Sequence, residues 1–132
     1  ISIAERLSKE ANELKKLSIN TIAIMSNDIV EYPQDSFENM KIFAKKYQFK
    51  FPYLLDENQQ VAKNYGAVCT PDIFGFNKDN ILAYRGRIDS GVMKSENTEI
   101  NRELYNAMIK IKNDGSGPDE QFNSFGCSIK WK

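Results

Sequence analysis

The sequence predicts an α/β fold in which a mixed β-sheet is flanked by helices. Segments with helical periodicity alternate along the chain with short runs rich in isoleucine, threonine and aromatic residues. Two of these runs flank residues 78–80 in the pattern of an antiparallel hairpin. The length of 132 residues suits one globular domain with a single modest core.

The first predicted helix and strand lie within residues 2–25. Between Ser2 and Leu17 apolar residues recur three or four positions apart, which is the pattern of an amphipathic helix. Residues 19–25, INTIAIM, follow as an apolar run typical of a strand buried on both faces. Residues 26–35 have the composition of a loop. A helix is an unusual start for an α/β unit, so a strand is expected before it.

A second helix is predicted from Ser36 to about Tyr47. Asp35 and Glu38 precede its apolar positions with the spacing of a capping box, in which a side chain at each position satisfies a backbone N–H group. Residues 51–56 then form a brief extended segment.

A third, short helix is predicted after Asp56. Asp56 and Gln59 repeat the capping-box spacing, and Val61 and Ala62 supply apolar positions. Gly66 would end the helix in a left-handed conformation, which glycine adopts without steric cost.

The second half of the chain is predicted to hold the hairpin and a last helix. Residues 72–77 and 81–89 flank the turn, and Thr98 could cap a helix that runs past Leu104 to Ile111. Residues 1–112 would then form the domain, and residues 113–132 a flexible linker followed by an aromatic, cysteine-containing tail.

Composition excludes several classes of function. Eighteen basic and eighteen acidic residues balance, so no overall field favours nucleic acid or an anionic membrane surface. The sequence has no histidine, which excludes histidine-dependent mechanisms, and two distant cysteines do not make a zinc site. No apolar run approaches the length of a membrane span. We expect no metal and no cofactor.

The two cysteines, Cys69 and Cys127, are the candidate catalytic residues. Cys69 could be a redox thiol or a small core residue, and packing is the simpler explanation. Cys127 lies between Gly126 and Ser128 in a tail predicted to be flexible, where a redox or docking role is about as well supported as a structural one. The two thiols could also pair if the tail folds back onto the domain.

Three other features carry weaker signals. Pro71 has no N–H to donate, so it suits the first residue or the edge of a strand, and X-Pro bonds are mostly trans. Arg85 and Arg87 alternate along a strand, where they could bind an anionic group or form a polar outer face. Residues 26–28 follow a strand at the position where α/β folds place ligands.

Three stretches, IAIMSND at 22–28, residues 31–89 with YGAVCTPD, and the ending GCSIKWK, carry a family resemblance. They resemble the thioredoxin-like redoxins related to the peroxiredoxins, the AhpC/TSA type. The resemblance implies a thioredoxin-like three-layer sandwich with a mixed sheet. It also implies a cis bond before Pro71, and that Thr70 and Pro71 bind substrate opposite the active-site cysteines. An extended substrate could add to the backbone there as a short strand.

The dithiol motif of that family, Cys-X-X-Cys-Pro, is absent from this sequence. In the family it lies between the first core strand and the first helix, where the positive end of the helix lowers a thiol pKa. We therefore expect a chain truncated before or within its first helix that lacks the first, central core strand. Buried backbone groups left unpaired each cost about 1–3 kcal/mol, so these residues are expected not to fold stably alone.

The resemblance implies a thiol-disulfide oxidoreductase or thiol peroxidase whose nucleophile lies upstream. Its partners would be a protein or small-molecule disulfide or hydroperoxide and a thiol electron donor, with no nucleic acid and no membrane. The family suggests a cytoplasmic setting. One alternative is a redox pair formed by Cys69 and Cys127, and another is a non-catalytic thioredoxin-like binding module.

Overall fold

The computed structural model describes residues 3–91 and 100–132, which form four α-helices and six short strands and confirm the predicted mixed α/β class. In chain order the elements are α1 (Ile3–Lys16), β1 (Ala23–Met25), α2 (Phe37–Lys46), β2 (Tyr53–Leu55), α3 (Gln60–Tyr65), β3 (Cys69–Thr70), β4 (Ile73–Phe76), β5 (Leu82–Gly86), α4 (Glu103–Asp114) and β6 (Cys127–Ser128). The chain forms two compact units, Ile1–Val68 with Ser128–Lys132, and Cys69–Cys127.

The sheet of the first unit consists of two parallel strands, β1 and β2, with Ile24 opposite Leu54. Along α1 the apolar positions Ala4, Ala11 and Leu14 are buried, as the periodicity predicts, and Ile3 and Leu7 are half-buried. The apolar core residues of this unit are Ala4, Ala11, Leu14, Met25, Met40, Ala62 and Ile129. The last of these shows that the end of the chain belongs to the core of this unit.

Helix α2 begins one residue later than the predicted capping box. Ser36, not Asp35, is the N-cap, and its hydroxyl oxygen accepts a hydrogen bond from Asn39 N at 3.2 Å. Asp35 instead ends a 3₁₀ turn, and its carboxylate accepts from the side-chain amide of Asn27 at 3.0 Å. The predicted cap is therefore wrong by one position because Asp35 is used to hold the preceding loop.

Helix α3 is anchored by Asp56, as predicted, but Gln59 plays a different part. The Asp56 carboxylate accepts hydrogen bonds from Val61 N at 3.2 Å and Ala62 N at 2.9 Å. Gln59 adopts a left-handed conformation with φ 63°, and its side chain turns into the interior instead of completing a capping box. Gly66, with φ 72°, ends the helix as predicted.

The second unit is built on the antiparallel pair of β4 and β5, which confirms the predicted hairpin. The side-chain oxygen of Asn77 accepts from Asp79 N and Ile81 N and so fixes the turn. Helix α4 packs on the two strands. The apolar core consists of Tyr84, Ile88, Leu104, Ala107, Met108 and Ile111. The predicted cap Thr98 lies outside the described residues.

Residues 117–124 lie along the outer edge of β5. Gln121 donates to Ala83 O at 3.0 Å and accepts from Arg85 N at 2.9 Å. Further along, Arg87 N donates to Phe122 O at 3.0 Å. The polar segment predicted to be a linker thus satisfies backbone groups at the free edge of the hairpin, an edge that would otherwise be open to pairing with another chain.

Candidate functional site

The Thr70–Pro71 peptide bond is cis, in agreement with the family resemblance, so the trans form expected from general X-Pro preference is wrong here. Pro71 stands between β3 and β4, just before the hairpin. Thr70 is exposed, whereas Cys69 and Pro71 are half-buried. The two predicted substrate-binding residues and one predicted catalytic cysteine are therefore consecutive on a single short strand and turn.

Asp72 lies behind this turn as a buried carboxylate. Its side chain is only 5% exposed and accepts a hydrogen bond from Arg85 Nη2 at 2.9 Å. The Ser124 hydroxyl oxygen contacts the same carboxylate at 3.3 Å. The Arg85 guanidinium also stacks over the Phe74 ring, 4.8 Å from its centroid. These contacts hold the residue after Pro71 in place from two directions.

The surroundings of Cys69 make its thiol a weak nucleophile. Burial and the negative charge of Asp72 raise the pKa of Cys69 above its ordinary value of 9.0, and Arg85 offsets only part of this effect. The Sγ atom lies 3.5 Å from the Pro71 carbonyl oxygen, which suits a protonated thiol as donor. Because the thiolate is the attacking species, Cys69 has the properties of a packed structural cysteine.

Cys127 lies against β3. Strands β3 and β6 form a two-stranded sheet, and Thr70 Oγ1 donates a hydrogen bond to the Cys127 carbonyl at 3.5 Å. The preceding residue, Gly126, is packed so closely that a Cβ atom there would collide with the Thr70 carbonyl oxygen. The segment predicted to be a flexible tail thus brings Cys127 next to the predicted substrate-binding backbone.

Proximity of the strands does not pair the two thiols. Both cysteines are free, with Cys127 exposed and Cys69 half-buried. The Cys69–Cys127 redox pair therefore stays a prediction.

Arg85 in β5 and Arg87 just after this strand each form an ion pair with a carboxylate. Arg85 pairs with Asp72, and Arg87 pairs with Glu103 through two short contacts of 2.6 and 2.8 Å. Such bidentate pairing satisfies the planar guanidinium. The prediction that these arginines bind an external anionic group is therefore not supported by their position.

The loop after β1 is held by the end of the chain. Asp28 N donates to Lys130 O at 2.7 Å, and Lys130 N donates to the side chain of Asn27 at 2.9 Å. Gln59, 1% exposed, donates to Lys130 O and accepts from Lys132 N. Residues 26–28, predicted as a weak ligand site, therefore bind the protein's own tail.

Three residues that surround the Pro71 turn were missed in the sequence analysis, namely Asp72, Ser124 and Gly126. Opposite charges at Asp72 and Arg85, on neighbouring predicted strands, could have indicated the ion pair. Gly126 was assigned to a flexible tail because no local pattern signals that its Cα lies against Thr70. The two backbone segments are more than fifty residues apart in the sequence, so neither segment alone predicts that they come into contact.

A metal cluster and a membrane-spanning helix each place requirements on the described residues. Within 3–91 and 100–132, no three cysteine, aspartate or glutamate side chains form a cluster able to hold a metal ion. Across the same residues, every helix is too short or too polar to cross a membrane.

Comparison with known proteins shows which protein family this chain is similar to. A model of the AhpC/TSA family matches residues 2–85, which include β3, Thr70 and Pro71. The chain belongs to the AhpC/TSA family. The redoxin resemblance of YGAVCTPD is thereby confirmed, and the family match ends within the hairpin, before Cys127. The chain has no match among the curated proteins.

Two solved structures extend the similarity over the whole chain. An uncharacterized conserved protein from Geobacillus kaustophilus is 40% identical to this chain, with a TM-score of 0.88. The match covers 98% of this chain and 69% of the other. A hypothetical protein from Sinorhizobium meliloti is 34% identical with a TM-score of 0.87, covering 98% of this chain and 71% of the other. Both of these chains extend beyond the region that they share with this chain.

Proposed function

We propose that the full-length protein is a thiol-disulfide oxidoreductase or thiol peroxidase of the AhpC/TSA family. The observation that carries the proposal is the turn at Thr70 and Pro71, which combines an exposed strand end with a buried, fixed Asp72. A rigidly held turn of this kind suits the positioning of a substrate sulfur or oxygen, because catalysis depends on correct placement of the reacting atoms.

The nucleophile of the proposed reaction lies outside these 132 residues, in a Cys-X-X-Cys motif N-terminal to Ile1. Neither cysteine of the chain belongs to such a motif, and the thiol of Cys69 has a raised pKa. The additional length of the two solved relatives is consistent with a further segment. Reaction would begin with thiolate attack on a disulfide or peroxide bond and end with resolution by a second thiol.

A further strand beside the β1–β2 sheet is part of the same proposal. Ile22, Ile24 and Leu54 are 61%, 42% and 49% exposed, although they belong to a parallel pair of strands or lie at its edge. Parallel sheets in α/β proteins are normally covered on both faces. This uncovered apolar surface supports the expectation that the sheet of the full-length protein is larger.

The test is an assay of the full-length protein with dithiothreitol as electron donor and with insulin, a small disulfide or hydrogen peroxide as substrate. We expect reduction of at least one of these substrates above the uncatalysed rate, and loss of that activity after alkylation of the reduced protein. If none of the three substrates is consumed faster than in buffer, the proposed function is wrong.

A further inference from the structure

We propose that the segment Gly126–Cys127 closes the strand-addition edge at Thr70, so that the active site selects small disulfides or hydroperoxides over extended polypeptides. This inference rests on the proposed function, because it names the substrate class of the same site. Its physical basis is that an extended polypeptide binds such a site by adding a strand, and an edge already paired cannot accept another.

The contact between Gly126 and Thr70 has no space for a competing strand. A Cβ atom at Gly126 would collide with the Thr70 carbonyl oxygen and lie 3.2 Å from Pro71 N. The next residue, Cys127, accepts the hydrogen bond from the Thr70 hydroxyl. The main chain of the tail therefore lies where the main chain of an added substrate strand would lie.

The residues on either side of this segment are fixed as well. Upstream, the Ser124 hydroxyl donates to Gly86 O at 2.6 Å and contacts Asp72. Downstream, within the first unit, Ile129 is buried and its N–H donates to Val68 O at 3.2 Å. Opening of the edge would require loss of these bonds, so the closed state is strongly favoured over an open one.

A small substrate does not need the strand edge. The Thr70 side chain and the Pro71 ring remain accessible beside the paired main chain, since Thr70 is exposed and Pro71 is half-buried. A low-molecular-weight disulfide or hydroperoxide could contact these groups without displacing Cys127. The tail thus acts as a selectivity element that is part of the chain.

The experiment compares reduction of insulin and of hydroxyethyl disulfide by the full-length protein. Gly126→Ala introduces the colliding Cβ and should push the tail from β3, whereas Asn123→Ala, an exposed position in the same segment, is the matched control. We expect kcat/KM for insulin to rise about tenfold in Gly126→Ala, because apparent affinity follows the fraction of open sites. The value for hydroxyethyl disulfide should stay within about twofold in both variants.

Equal kcat/KM for the two substrates in the wild type, or an unchanged ratio in Gly126→Ala, would overturn the inference. If Gly126→Ala does not fold, Ser124→Ala gives the same comparison, because it removes the hydroxyl that fixes the segment to Gly86 O. Binding of a labelled, cysteine-free extended peptide, followed by fluorescence anisotropy, is independent of turnover. We expect binding to Gly126→Ala and not to the wild type, and binding to the wild type with equal affinity would refute tail closure even if the protein reduces no disulfide.

Discussion

Asp72 is the residue on which the chemistry at the Pro71 turn depends most. Its carboxylate is buried, pairs with Arg85 and lies close enough to Cys69 to raise the pKa of that thiol. The same charge therefore fixes the turn and adds to the effect of burial, which already raises the pKa of the Cys69 thiol. A protonated Cys69 does not compete as nucleophile with a thiolate elsewhere in the protein.

Replacement of Asp72 by asparagine should make Cys69 more reactive. Burial, the largest cause of the raised pKa of Cys69, remains, but the Asp72 charge that adds to it is removed and the opposing effect of Arg85 stays. At pH 8 we expect alkylation of Cys69 by iodoacetamide to be about threefold to tenfold faster than in the wild type. The measurement is peptide-resolved mass spectrometry after timed alkylation of the full-length protein.

The control is Asp79→Asn, which removes the same charge from the exposed hairpin turn. Alkylation of Cys69 should then proceed at the wild-type rate. A faster reaction in both variants would indicate a general loosening of the hairpin, and an unchanged rate in Asp72→Asn would show that the carboxylate does not control the thiol.

At the scale of elements, α3 depends on a single buried carboxylate. Asp56 accepts from the Ser26 hydroxyl at 2.8 Å and from two N–H groups of the first turn of the helix. Burial alone would raise the pKa of Asp56, but the hydrogen bonds from Ala62, Ser26 and Val61 outweigh it and lower the pKa below 3.8. The charged form therefore stabilises the folded state.

Replacement of Asp56 should lower the free energy of unfolding more at neutral pH than in acid. In the full-length protein, Asp56→Ala should lower the free energy of unfolding by about 2–3 kcal/mol, because buried donors lose a charged acceptor. The wild type has this stabilisation above pH 3.8 and loses it as the pH falls through the lower folded-state pKa. The difference between the proteins should shrink over that range.

Urea denaturation at pH 7 and at successively lower pH measures this difference. Glu57→Ala, at the exposed neighbouring position, is the control and should leave the free energy of unfolding nearly unchanged. A difference between wild type and Asp56→Ala that stays constant down to pH 2 would contradict the assigned role of the carboxylate.

Local elements could be predicted from the sequence where local physics decides them. The amphipathic stripe of α1, the left-handed Gly66 and the hairpin around residues 78–80 all follow from spacing and turn chemistry. Capping was predicted less well, since Asp35 and Gln59 have the correct spacing but are used by distant partners. Such competition between a local cap and a tertiary contact has no signature in the local sequence.

The surroundings of the Pro71 turn were predictable only in part, because they too depend on contacts between residues that are distant in sequence. The Cys69–Pro71 stretch could be identified from family motifs, whereas its neighbours Gly126 and Ser124 come from the opposite end of the second unit. Long-range backbone pairing depends on register, which two-residue strands do not specify by themselves. The tail was therefore predicted as flexible although its backbone is bonded along β5 and β3.

At the scale of the whole molecule, we expect stability to depend on the proposed central strand. If the β1–β2 sheet is incomplete, residues 1–132 alone should show no cooperative unfolding. Each unpaired buried backbone group costs about 1–3 kcal/mol, so several of them together equal a typical free energy of unfolding of about 5–15 kcal/mol. Circular dichroism during thermal unfolding of the 132-residue chain tests this expectation. A monomer with a single sharp transition would contradict it.

The central claim is that this chain supplies the substrate-facing part of a thiol site whose nucleophile lies elsewhere in the protein. The most direct measurement is the thiol-dependent activity of the full-length double variant Cys69→Ser/Cys127→Ser against the substrates that the wild type reduces. We expect kcat/KM for a small disulfide or hydroperoxide to stay within about twofold of the wild type. A fall to the uncatalysed rate in a correctly folded double variant would contradict the account and place the nucleophile at Cys69 or Cys127.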